Sequence, residues 1–230
     1  MSVNDIVSKL KERSDPKKKE GMMRYGINPD NALGVSMPDI NAISKQYKND
    51  HQLALELWET GINEARIVAA LIDDKKQVTG EQMEKWVNDL SSWDVCDQLV
   101  MKLFDRTPYA WDKACEWADR NEEFVKRAGF AMMASLAIHD KKAPDEAFDK
   151  FFEYIINNSD DNRNFVKKAV NWALRQIGKR NHNLRKKALE VSRKILECNT
   201  KAGNWIARDA IRELENDKII ARIDRKTKNN

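Results

Sequence analysis

Trp93 and Asp97 stand four residues apart in Ser92-Trp93-Asp94-Val95-Cys96-Asp97, so a helix through this segment puts an indole and a carboxylate on one face. A second indole, Trp172, lies in a segment rich in cations. Lys168, Trp172, Arg175 and Lys179 fall at i, i+4, i+7 and i+11, a stripe separate from the apolar one of Val166, Ala169, Val170, Ala173 and Ile177. Indoles, a carboxylate and basic side chains turned to one groove suit a sugar–phosphate ligand with positive charge at its reacting centre. The cations would hold phosphates, the rings would contact sugar or base, and the carboxylate would stabilise developing charge. Each group also has a plainer reading. Trp172 suits packing against a neighbouring helix, its cations merely solvated. Asp97 lies beyond the first turn, so capping does not fully account for it, but a surface ion pair, with Arg127 for instance, would.

The elements that must position these groups are helices. Apolar residues recur at helical spacing over 3–13, 37–47, 52–59, 62–72, 80–90, 92–104, 110–119, 122–139, 144–157, 162–179, 183–197 and 201–216. Pro38 and Pro144 suit first helical turns, Ser91 with Asp94 resembles a capping box, and Gly61 and Gly178 sit where helices stop. On the helix holding Asp97, the core residues are Val95, Cys96, Leu99 and Leu103. One helix type returns, opening at Glu64, Trp93, Phe124, Phe165 and Trp205, with Ala or Gly in the middle where neighbours pack closely. The spacing of about 30 to 40 residues is that of two-helix HEAT-like units. The expected architecture is all-α: HEAT-like helical repeats forming a right-handed superhelix with a concave basic groove. A single repeat domain is expected over 1–217, followed by a basic C-terminal tail over 218–230.

Bulk properties agree. The chain has 230 residues, long enough for a substantial core, with 41% hydrophobic and 34% charged residues, a soluble globular composition. No apolar run approaches the roughly 20 residues that span a bilayer, and no signal-peptide segment opens the chain. The net charge of +4 is unevenly spread: between Arg163 and Arg212, 14 Lys/Arg face three acids, a bias that points to a polyanion such as nucleic acid. The three cysteines form no CxxC pair and the three histidines are scattered, so neither a disulfide framework nor a metal or cofactor is expected. A reduced cytoplasmic protein fits best. The acid pairs Asp73/Asp74 and Asp160/Asp161, and His139-Asp140, sit at helix ends and turns, where acids serve as caps.

Taken in order, Trp93-Asp94 with Asp97, then Val125-Lys126-Arg127-Ala128, then the segment from Lys168 to Arg175, resemble AlkD-type DNA alkylation repair glycosylases, HEAT-like-repeat proteins that release alkylated purines. The likeness runs from about Met22 to Arg212. It implies that Asp97 is the catalytic carboxylate, that Trp93 and Trp172 embrace the damaged nucleotide's backbone, and that Arg127 is a groove arginine, with Arg208 a weaker match. It implies a DNA ligand, for which Lys126, Lys168, Arg175, Lys179 and Arg212 are further candidate contacts. A solenoid with a groove is expected to work as a monomer. One departure stands out. The family carries a longer amphipathic helix after its Met-x-Arg-Tyr segment, whereas here Gly26, Asn28-Pro29 and Gly34 interrupt the chain. A non-catalytic DNA-binding relative, suited to branched DNA, is the alternative; a HEAT scaffold for proteins is a third reading.

Overall fold

A computed structural model describes residues 2–228, the side chains of 226–228 apart. The described residues are helical, with short 3-10 turns and no strand. They form two compact units, Met1–Tyr109 and Ala110–Asn230.

The first unit contains α1 (Val3–Glu12), α2 (Pro16–Met22), α3 (Met37–Ser44), α4 (His51–Glu59), α5 (Asn63–Ile72), α6 (Gly80–Asn88) and α7 (Trp93–Lys102). At its centre is α5, packed against α1, α3, α4 and α7 and buried on nearly every side, as its Ala/Ile/Val-rich sequence requires. Helix starts have local causes: Asp15, Asp50 and Thr79 each accept a bond from a backbone N–H of the following first turn. Gly61 ends α4 with φ +69, the left-handed stop read from sequence. Trp58 and Trp86 stack at 4.2 Å between ring centroids, and the Trp58 indole donates to Asp89 at 2.8 Å. Glu64 is the buried polar anchor of this unit. Its carboxylate accepts from the backbone N–H groups of Leu33, Gly34 and Val35 at 2.7–3.2 Å, pinning the loop that joins α2 to α3.

The second unit contains α8 (Ala110–Ala118), α9 (Glu123–His139), α10 (Asp149–Asn157), α11 (Asn164–Gly178), α12 (His182–Glu197), α13 (Lys201–Leu214) and α14 (Asp217–Lys228). Two layers are evident. In one, α9 packs on α11 and α11 on α13; in the other, α10 packs on both α8 and α12; α8·α9 and α12·α13 join them. Each recurring motif read from sequence lies in a helix of one type, at the first or second residue of α5 and α7 in the first unit and of α9 and α11 in the second, and from the fifth residue of α13, which shares their layer.

Small residues set the spacing. A Cβ on Gly129 would lie 2.5 Å from the Ala118 nitrogen and 2.9 Å from the Ala114 oxygen, both backbone atoms of α8 that cannot swing aside. Gly129→Ala is therefore expected to destabilise the fold by roughly 1–3 kcal/mol through overpacking, read as a lower denaturation midpoint at unchanged slope.

Several boundaries differ from the sequence reading. The N-cap of α7 is Ser92, not Ser91, and its hydroxyl bonds Asp94. Gly178 is the last residue of α11 and not a left-handed stop; its missing Cβ makes room for Leu214 and Ala188, which would lie within 2.9 Å. Pro144 precedes a 3-10 turn, Asp145–Phe148, and α10 starts only at Asp149. α7 ends at Lys102 with Leu103 as its C-cap, and Phe104 opens a further 3-10 turn. α2 has no counterpart among the expected helices. The segment read as a basic tail is helical through Lys228, with Ile223 buried; residues 229–230 lie outside the described residues.

Candidate nucleic-acid interface

In the first unit, α7 buries Val95, Cys96, Leu99 and Val100, with Leu103 just beyond its end also buried. Trp93 and Asp97 are left partly exposed on the adjoining face. The Trp93 indole N–H donates to the Tyr25 carbonyl at 2.9 Å, which fixes the ring against the 3-10 turn Met23–Tyr25. That turn presents Met23 and Tyr25 to solvent, 64% and 70% exposed. Gly26 ends it at φ +74, and a second turn, Pro29–Asn31, follows, so the interrupted sequence forms short turns where a long helix was implied for relatives.

In the second unit, α11 buries the apolar stripe expected of it. On the other stripe Lys168 is exposed, while Trp172, Arg175 and Lys179 are partly so. Two of these cations are not free. Arg175 bonds Glu213 and lies 3.6 Å from Asp209, and Lys179 donates to Glu213 at 2.6 Å. With its amide oxygen turned towards them, Gln176 accepts from the Trp172 indole and from Lys179, each at 3.1 Å. Burial opposes ionisation of Glu213, but the bonds from Lys179 and Arg175 outweigh it and hold its pKa below the ordinary value. These pairs therefore persist above the usual carboxylate range and are lost as pH falls through the lowered value. Removing the acid should release Lys179 from its ion pair and leave Arg175 with Asp209 alone. Glu213→Gln is expected to raise affinity for a polyanion about threefold and to steepen the dependence of log K on log salt by up to about one unit, as titrations at several salt concentrations would reveal.

The remaining basic residues differ in setting. Arg208 and Arg212 are exposed on α13, Arg212 also bonding Asp209. Lys126 is mostly buried, donating to Asn158 at 2.9 Å and lying 3.9 Å from Asp161. Arg127 is 6% exposed and donates to the Phe165 carbonyl at 2.8 Å, an internal brace between α9 and the first turn of α11. The acid pairs set aside from sequence have structural partners: Asp73 bonds His51 and Gln82, and Asp161 bonds Arg163. Among the described residues no cluster of three or more His, Cys, Asp or Glu is placed to hold a metal ion, and no helix is long and apolar enough to cross a membrane.

The model of a family described as DNA alkylation repair enzyme matches residues 6–214. The chain belongs to that family. A solved structure reported as a new family of proteins related to the HEAT-like repeat DNA glycosylases, with affinity for branched DNA structures, is similar at TM-score 0.76 and 20% identity, over 84% of this chain and 83% of that one. The fold is thus the all-α HEAT-like repeat. A designed armadillo repeat protein in complex with a (KR)4 peptide matches 82% of this chain and 80% of its own at 16% identity, with a TM-score of 0.33. No curated protein matches.

For this alkylation-repair family member, two features escaped the sequence reading as parts of a surface. The turn bearing Met23 and Tyr25 has no helical periodicity, so in the sequence it shows only as an interruption. Trp205 was read as a repeat marker, yet it is 41% exposed. The clue was available: Trp205 stands at the repeat position held by Phe124 and Phe165, which pair at 5.5 Å.

Proposed function

We propose that this chain is a DNA glycosylase that hydrolyses the N-glycosidic bond of N3- and N7-alkylated purines, working as a monomer in the cytoplasm. The observation that carries the reading is the start of α7, where Trp93 and Asp97 sit one turn apart outside the core stripe, the indole anchored on Tyr25. An alkylated purine already bears positive charge, so its bond to C1′ breaks without a general acid and the bonding pair leaves with the base. Asp97 then stabilises the oxocarbenium-like sugar and orients the water that adds to C1′, its proton passing to solvent. The Trp93 face favours the cationic lesion or the electron-poor C–H bonds of its sugar. In the second unit, Lys168, Arg208 and Arg212 supply exposed phosphate contacts beside Trp172, joined by Arg175 and Lys179 when Glu213 yields them. Lys126 adds charge near the start of α9, and Arg127 holds the first turn of α11 in place from beneath.

The test is release of 7-methylguanine and 3-methyladenine from methylated DNA, with Asp97→Asn as control. Release that disappears in the variant supports the reading; release no greater than the variant's ends it.

A second reading has its own support. The short turns at Met23–Tyr25 and Pro29–Asn31, and the likeness to a protein reported to have affinity for branched DNA, favour a chain that holds branched DNA without cleaving it. Salt-sensitive binding weakened by Lys168→Ala, with no base release from any substrate, is its expected signature.

A further inference from the structure

Trp205 opens the surface of α13, 41% exposed, with the Lys167 ammonium 5.0 Å from its ring centroid. An indole left this open in the second turn of a helix contributes little to the core, where Ile206, Ala207 and Ala210 are buried. Beside it lies a depression of about 310 Å³ lined by Asn204, Trp205, Arg208, Asp209 and Arg212. Its acid is already engaged: Asp209 bonds Arg212 and lies 3.6 Å from Arg175. Arg208 and Arg212 follow Trp205 at i+3 and i+7, so ring and guanidinium groups share one face. In the sequence repeat Trp205 aligns with Phe124 of α9 and Phe165 of α11, which pair at 5.5 Å, although it is the fifth residue of its helix where they are the second of theirs.

The geometry points to Trp205 as a stacking platform for an unpaired base of a DNA strand, with Arg208 and Arg212 holding the flanking phosphates. A π-face bounded by cations is how single strands are held without reading sequence, because every base offers a face to stack. The depression sets two arginines beside the indole, as a base with its flanking phosphates requires. The inference rests on DNA being the ligand, as proposed above, and adds which part of it this surface takes: a single-stranded arm rather than duplex.

The experiment compares three fluorescent DNAs of equal length by anisotropy: blunt duplex, a fork with single-stranded arms, and the same fork with abasic sugar–phosphate arms. The parent chain is expected to bind the base-bearing fork about tenfold more tightly than the abasic fork, a typical contribution of one stacked base. Trp205→Ala should abolish that difference while changing blunt-duplex binding less than about twofold, and Trp205→Phe should keep most of it. Equal binding of the two forks by the parent, or a Trp205→Ala loss that is the same on all three DNAs, overturns the inference and leaves the glycosylase reading standing. A parent chain that binds none of the three at low salt removes both.

Discussion

Asp97→Asn is expected to slow the release of 7-methylguanine by about a hundred- to a thousandfold while leaving DNA affinity within about twofold of the parent. The substitution keeps the size of the side chain and one acceptor oxygen, removes its charge and turns the other oxygen into a donor. A carboxylate that acts solely on the developing sugar cation contributes to the transition state and not to ground-state binding, so the single-turnover rate should fall and the binding constant should not. The local scaffold should survive, because the Trp93 indole donates to the main-chain carbonyl of Tyr25. Asp94, occupied by the Ser92 hydroxyl at the helix start, serves as the internal comparison: Asp94→Asn should affect the stability of α7 and leave chemistry nearly untouched. A matching loss in both variants would assign Asp97 a structural role.

Glu64→Ala is expected to lower the stability of the first unit by roughly 3–5 kcal/mol, enough to bring its thermal midpoint down by more than about 10 °C. The carboxylate is 1% exposed and accepts from three successive backbone N–H groups. Deleting it leaves those donors without an acceptor in a loop that cannot relax freely. Gly34 sits there at φ +79, and even a Cβ would come within 2.4 Å of the Asp15 oxygen. Glu64→Gln separates geometry from charge. One amide oxygen can still serve Gly34 and Val35, whereas an NH2 placed opposite the Leu33 N–H would repel it, so an intermediate loss is expected. Calorimetry or denaturant titration of the three proteins orders them as parent, Gln, Ala.

How much of this was legible in the sequence depends on the range of the interaction. The apolar stripe of α11 was readable to the residue, because Val166, Ala169, Val170, Ala173 and Ile177 repeat at the helical period and all are buried. The face bearing Trp93 and Asp97 followed from the same periodicity. α2 escaped because Pro16-Lys17-Lys18-Lys19-Glu20 has no apolar face; it is started by Pro16 and by Asp15 capping Lys17 and Lys18. In α14 the spacing of Ile219 and Ile223 was present, but the surrounding charge masked it. The pairing of Arg175 and Lys179 with Glu213 joins residues more than thirty positions apart, and no local pattern announces which acid of a later helix will face a given cation. Gly178 misled for a related reason: its position suggested a chain-reversing stop, whereas its true neighbours, Leu214 and Ala188, belong to other helices.

The acids of α13 that occupy Arg175 and Lys179 make admission to this surface competitive. An incoming anion has to win each guanidinium or ammonium from a resident carboxylate, and a small solute offering one or two negative oxygens gains little from the exchange. A polymer that brings many charges in register can spread the cost over Lys168, Arg208 and Arg212 as well. On the DNA-binding reading, dense polyanions are thereby distinguished from free phosphates.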